Sequence, residues 1–101
     1  MSTRPPQLYL VCYDICGDHK RLRRVYKIMR GFGEHMQYSV FRCVLTDRQL
    51  AELEQSLTMV IEPRSDQILI IPLGPAETPR SWRMYALGVP IDAPERTVRI
   101  V

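Results

Sequence analysis

"HMQYSVFRCVL", residues 35–45, decides the fold: it reads as one long strand, or as two strands joined by a very tight turn near Tyr38-Ser39. The stretch is rich in β-branched and aromatic residues, and it is apolar on both faces at period two. No Gly or Pro marks a turn, so the residues leave both alternatives open. Upstream, "LYLVCYDI", residues 8–15, reads as a strand too short for a helix. Leu8, Leu10, Cys12 and Asp14 share one of its faces, and Tyr9, Val11, Tyr13 and Ile15 the other. Both faces are apolar until Asp14, so the strand needs cover on both sides.

Gly17 breaks the chain, and Asp18 is placed to cap a helix through about Phe32, with Gly33 as a left-handed C-terminal stop. At 100° per residue, Leu22, Val25, Tyr26, Ile28, Met29 and Phe32 fill one arc, while Lys20, Arg23, Arg24, Lys27 and Arg30 fill the opposite one. Arg21 breaks this division. It projects into the apolar arc in the first turn, closest to the end of the first strand. The letters Arg30-Gly31-Phe32-Gly33 open like the base-stacking motif of RNA-recognition domains. That motif then needs aromatic and apolar residues where Glu34, His35 and Gln37 stand, and here its four matching letters close a helix.

Downstream, Thr46-Asp47-Arg48-Gln49 is a capping box. It opens a second helix through Leu50, Leu53, Leu57 and Val60, ending before Pro63. "DQILIIPL", residues 66–73, is another buried strand, and Pro72 puts its far end at an edge or outside the ladder. "PAETPRS" then reads as a loop, "WRMYAL" as a short strand, "VPIDAPE" as a linker, and "TVRIV" as a closing strand with no partner in its own hairpin. The order β-α-β(β)-α-β is α+β and ferredoxin-like, βαββαβ with an extra C-terminal strand. Residues 1–88 form that domain, and 89–101 a linker and a strand for dimer or partner pairing. Two helices cover one face of such a sheet. The other face predicts a homodimer with facing sheets, the orphan strand crossing to the partner.

The chain has 101 residues, 46% hydrophobic and 25% charged, as expected of one globular domain. No signal peptide or membrane span is visible, which suggests a cytoplasmic protein. Three cysteines, Cys12, Cys16 and Cys43, preclude a complete internal disulfide set and suggest buried thiols. Cys12, Cys16 and His19 begin a zinc-like spacing that no second pair closes. The net charge is +3, and Lys20, Arg21, Arg23, Arg24, Lys27 and Arg30 concentrate the excess on the first helix. Such a cluster is either a solvated helix face or a surface for a phosphate backbone.

Asp14 is the single carboxylate inside a strongly apolar strand, and burying a lone charge is expensive. Two roles stay open for it: it accepts backbone amides of the Cys16–His19 turn, or it is functional. A dimer axis near this strand end would bring two copies together. They would suit Mg²⁺, which takes one or two carboxylates plus substrate phosphate and can activate water and offset phosphodiester charge.

Tyr13-Asp14-Ile15 at the end of the first strand, a basic first helix, and Gln37-Tyr38-Ser39-Val40-Phe41 after Gly33 together resemble the CRISPR-associated Cas-two family. The similarity extends through Asp66 and "ILIIPL" to Gly88. It implies a ferredoxin-like homodimer that joins the Cas-one integrase in spacer acquisition, with Mg²⁺-dependent endonuclease activity on RNA or DNA in some members. It implies Asp14 as the catalytic metal ligand, and Tyr13, Arg24 and Phe41 as site or nucleic-acid neighbours. Arg21 is an equal candidate beside Arg24, and Arg23 and Lys27 belong to the same binding helix. The expected partners are duplex DNA or single-stranded RNA. The family often has Arg or Lys where this chain has His35, which implies pH-dependent phosphate binding there. It also favours the tight turn over one long strand. Three functions are compatible with this resemblance: an integrase-associated bridge for duplex DNA that need not be catalytic, a metal-dependent endonuclease, or an RNA-cleaving toxin-like protein outside CRISPR.

Overall fold

The computed structural model describes residues 4–77 and 85–89. Its elements are β1 (Gln7–Asp14), α1 (His19–Arg30), β2 (Glu34–Gln37), β3 (Val40–Leu45), α2 (Asp47–Thr58) and β4 (Gln67–Pro75). The strands form one sheet in the order β2-β3-β1-β4, with every neighbouring pair antiparallel. This is the ferredoxin-like βαββαβ arrangement read from the pattern.

Residues 35–45 form two strands, not one. The chain reverses at Tyr38, which adopts φ 39°, a left-handed conformation that ordinarily costs a side-chain-bearing residue about 1–2 kcal/mol. Two hydrogen bonds from outside the hairpin ladder hold the reversal. The Tyr13 amide donates to the Ser39 carbonyl at 3.1 Å, and His35 Nε2–H donates to the Tyr38 carbonyl at 2.6 Å. One tertiary bond and one local side-chain bond thus do what Gly or Asn does in an isolated turn.

Asp18 caps α1 as expected, accepting the Arg21 amide at 3.0 Å. The far end differs from the sequence expectation. The helix stops at Arg30, its cap is Gly31 in the right-handed region at φ −79°, and Gly33 is not among the glycines with positive φ. Gly33 is small for a different reason: a Cβ there would overlap Cys43 Sγ and lie 2.7 Å from the Arg42 carbonyl oxygen. The chain leaving α1 has to pass against β3, and only glycine fits. Thr46 caps α2 with the complete capping box, its hydroxyl accepting the Gln49 amide and the Gln49 side chain accepting the Thr46 amide.

Both helices pack on one face of the sheet. Val11, Val25, Met29, Phe41, Cys43, Leu45 and Leu53 are essentially inaccessible there, with Tyr9, Tyr13, Tyr26 and Leu57 around them. Burying a side chain of this kind stabilises by about 1.5–3 kcal/mol. On the opposite face Leu10, Cys12 and Asp14 align with Arg42, Val40, Ile71, Leu69 and Gln67 in the ladder. Val44, Leu69 and Ile71 are 52%, 49% and 41% exposed there, and among the described residues nothing covers them. Pro72 is accommodated because β4 is an edge strand, with a register shift between Leu8 and Tyr9 opposite it.

The outer surfaces of the helices differ in sign. Lys20, Arg23, Arg24, Lys27 and Arg30 are exposed on α1, whereas α2 exposes Glu52 and Glu54 beside Arg48. Of the short strand expected at 82–87, residues 85–87 are exposed and irregular, and the remainder lies outside the described residues, as does the closing "TVRIV".

Candidate functional site

β1 ends with two neighbours pointing to opposite faces. Tyr13 enters the core beneath the helices, and Asp14, paired with Gln67 in the ladder, is exposed on the open face. Among the described residues the Asp14 carboxylate has no hydrogen bond and no cation partner. It accepts none of the turn amides that it was placed to receive.

The Cys16 amide among them goes to Asp66. Its side chain is completely buried, and its two oxygens receive donors from three segments. Oδ1 accepts the Cys16 amide at 2.9 Å, with Arg21 Nη2 at 3.3 Å and the Ser65 hydroxyl at 3.4 Å. Oδ2 accepts Arg21 Nε at 2.6 Å and the Glu62 amide at 2.8 Å. The Arg21 hydrogen bond, aided by the Cys16 and Glu62 amides, outweighs burial and holds the Asp66 carboxyl well below the usual carboxylate range. The remaining Arg21 donors reach Asp18 Oδ2 at 3.1 Å and the Cys16 carbonyl at 2.8 Å. Arg21 therefore borders the same turn as Asp14, but its fork is occupied within the chain. Its odd place in the apolar arc marks this buried pair.

The rings named as site neighbours lie beneath the strand. Phe41 is inaccessible and Tyr13 is 5% exposed, their centroids 6.2 Å apart. Tyr26 meets Phe41 edge-on at 5.8 Å, and His35 lies 4.9 Å from Phe41 and 5.3 Å from Tyr26. The Tyr13 hydroxyl is buried without a hydrogen-bond partner among the described residues. Burial, with a smaller contribution from Tyr26, pushes it up to about 12, so it stays protonated. In this packing Tyr13 and Phe41 support the strand end from below, and one His35 nitrogen is occupied by the Tyr38 turn.

The expected cationic surface is present. Lys20, Arg23, Arg24 and Lys27 are exposed and make no ion pair among the described residues. Arg30 bonds the Tyr26 hydroxyl at 3.0 Å, yet it too faces solvent.

All three cysteines are free, but only Cys43 is buried; Cys12 is half-buried and Cys16 exposed, which corrects the expectation of three buried thiols. Burial pushes the Cys43 thiol up to about 11. Among the described residues no three His, Cys, Asp or Glu side chains gather around a metal position. Asp14, a single uncommitted carboxylate, fits one contact to a largely hydrated Mg²⁺ and does not fit a protein cage.

Asp66 is the residue that sequence reasoning passed over. Its signal was an aspartate immediately before an apolar strand, expected buried but half-exposed at the sheet edge, together with an arginine misplaced on a helix.

Residues 7–80 match the family described as CRISPR associated protein Cas2. The chain is 47% identical over 81 residues to the CRISPR-associated endoribonuclease Cas2 2 of Thermodesulfovibrio yellowstonii, covering 80% of this chain and 82% of that protein. It is 36% identical to the CRISPR-associated endoribonuclease Cas2 of Geobacter sulfurreducens, covering 93% and 97%. Among solved structures, the hypothetical protein TT1823 from Thermus thermophilus superimposes with a TM-score of 0.71 at 29% identity, covering 84% of this chain and 94% of that one.

Proposed function

The chain belongs to the CRISPR associated protein Cas2 family, and from that premise we propose that it is a homodimeric, nucleic-acid-binding endonuclease of CRISPR systems whose phosphodiester chemistry depends on Asp14. One observation carries this reading. Of the three aspartates near the β1–α1 turn, Asp18 and Asp66 are engaged by Arg21, and Asp14 alone remains uncommitted and exposed.

A second copy covering the apolar open face would place another Asp14 on the shared interface. The pair would hold a largely hydrated Mg²⁺, whose chemistry when bound is to polarise water and offset phosphodiester charge. The chain's own residues bind and orient. The exposed cations of α1 take phosphates without reading bases, and Tyr13 on Phe41 props the strand end that presents Asp14. The relatives' endoribonuclease name favours RNA as substrate.

A second reading draws on the same carboxylate. One ligand per chain is a poor metal cage, which favours a dimeric DNA bridge acting with the Cas-one integrase during spacer acquisition. Asp14→Asn separates the two. Cleavage of labelled single-stranded RNA or duplex DNA under a Mg²⁺ titration is expected to disappear in this variant. Dimerisation, pulldown of the integrase and spacer integration are expected to persist. Cleavage surviving in a rigorously purified variant overturns the nuclease reading; loss of integration in a folded, dimeric variant makes the bridge dependent on Asp14.

A further inference from the structure

We propose that Asp66 is a positioning residue for Asp14: with Arg21 as its arm, it holds the strand end that presents the uncommitted carboxylate. Asp14 is fixed along the chain by the turn on its C-terminal side and across the sheet by its ladder partner. Asp66 governs both. Two residues after Asp14, the Cys16 amide ends on Asp66 Oδ1 at 2.9 Å. Across the ladder, Asp14 pairs with Gln67, the residue directly after Asp66. Arg21 closes the triangle by bonding Asp66 and the Cys16 carbonyl at once, the latter at 2.8 Å.

The clamp is largely satisfied inside the chain. Arg21 commits its Nε, both Nη2 hydrogens and one Nη1 hydrogen to Asp66, Cys16 and Asp18, which leaves little for a phosphate. A buried, multiply bonded carboxylate holds its surroundings within a few tenths of an ångström, as the shell behind a ligand must. Asp66 thus acts on Asp14 through backbone and never touches what Asp14 touches. Arg21, charged like its neighbours on α1, belongs to this clamp and not to the phosphate surface.

The proposal rests on the reading of Asp14 as a metal contact, and its test keeps the two separable. Mn²⁺ binding to the full-length protein is followed by electron paramagnetic resonance for wild type, Asp14→Asn, Asp66→Asn and Arg21→Lys. The temperature is one at which circular dichroism shows each variant folded. Arg21→Lys keeps the charge and loses the fork, so it serves if Asp66→Asn does not fold. Hydrogen exchange of residues 13–18 and 41–45 is read by mass spectrometry on the same samples. The expected result is Mn²⁺ binding that vanishes in Asp14→Asn and weakens about tenfold in the clamp variants. Exchange should accelerate at 13–18 by clearly more than at 41–45, where it follows only the global loss of stability. Asp14-dependent binding that the clamp variants leave intact overturns the positioning role while the Asp14 reading stands. Exchange that rises equally in both segments also overturns it, since the clamp would then be a general stabiliser. Binding indifferent to Asp14→Asn overturns both.

Discussion

Replacing Asp66 with Asn removes one charge and almost no volume, so its effect on stability measures the clamp itself. Each carboxylate oxygen receives at least two N–H donors: Cys16 N and Arg21 Nη2 at Oδ1, Glu62 N and Arg21 Nε at Oδ2. Whichever oxygen becomes an amide nitrogen, two donors face a donor, and the Arg21 charge loses its buried partner. Breaking a buried, hydrogen-bonded ion pair from one side costs about 3–5 kcal/mol, a large share of the roughly 5–15 kcal/mol that holds a domain folded. Urea denaturation at fixed protein concentration should show a midpoint lower by about 2–3 M, taking a slope of about 1.5 kcal/mol per molar.

The pH dependence carries the same information with a definite sign. Asp66 titrates lower in the folded protein than in the unfolded chain, where a carboxyl lies near about 3.9. Its contribution is therefore fully present above the unfolded value and is lost as pH falls through that value toward the folded one. In this acidic window wild-type stability should fall faster than that of Asp66→Asn, by about 1.4 kcal/mol per pH unit for the one proton. A midpoint shift corresponding to less than about 1 kcal/mol, or parallel pH profiles, would refute the reasoning.

Arg23→Ala with Lys27→Ala should flatten the slope of log affinity against log salt for duplex DNA by about two units per contacting subunit, at roughly 0.9 per phosphate contact. Fluorescence anisotropy across a salt series decides this, and an unchanged slope would place the DNA elsewhere. Leu69→Asp places a charge on the half-exposed edge strand of the open face and should weaken self-association by tenfold or more with little loss of secondary structure. Light scattering and circular dichroism on one sample check this, and an unchanged mass would put the dimer contact elsewhere.

The elements were legible because their signals are local. A short apolar run rich in β-branched and aromatic residues at 8–15 marked β1, the capping box opened α2 at its observed residue, and Asp18 capped α1. What escaped depends on contacts distant in sequence. The hairpin at Tyr38 carries no turn residue, and beside the local His35 bond its reversal is held by the Tyr13 amide of a different strand, which no count of residue types around position 38 reports. Gly33 was read as a conformational glycine, whereas its smallness answers the passage of Arg42 and Cys43. Around the site, Asp14 and the cations of α1 could be named in advance. The helical arc also exposed Arg21 as out of place, but its partner lies 45 residues away, beyond the reach of periodicity.

The opposite signs of the two helices' outer surfaces have a consequence for approach. Lys20, Arg23, Arg24 and Lys27 lie on one helix, and Glu54 and Glu52, the latter paired with Arg48, on the other, so the helical layer carries a lateral electric dipole among the described residues. A polyanion drifting toward this layer experiences a torque as well as an attraction, turning its axis toward α1 and away from α2. At physiological ionic strength the field fades over about 8 Å, so this turning acts only across the last few water layers. Orientation is selected there, before any contact forms, and a strand arriving over α2 is deflected instead of being held in a useless register.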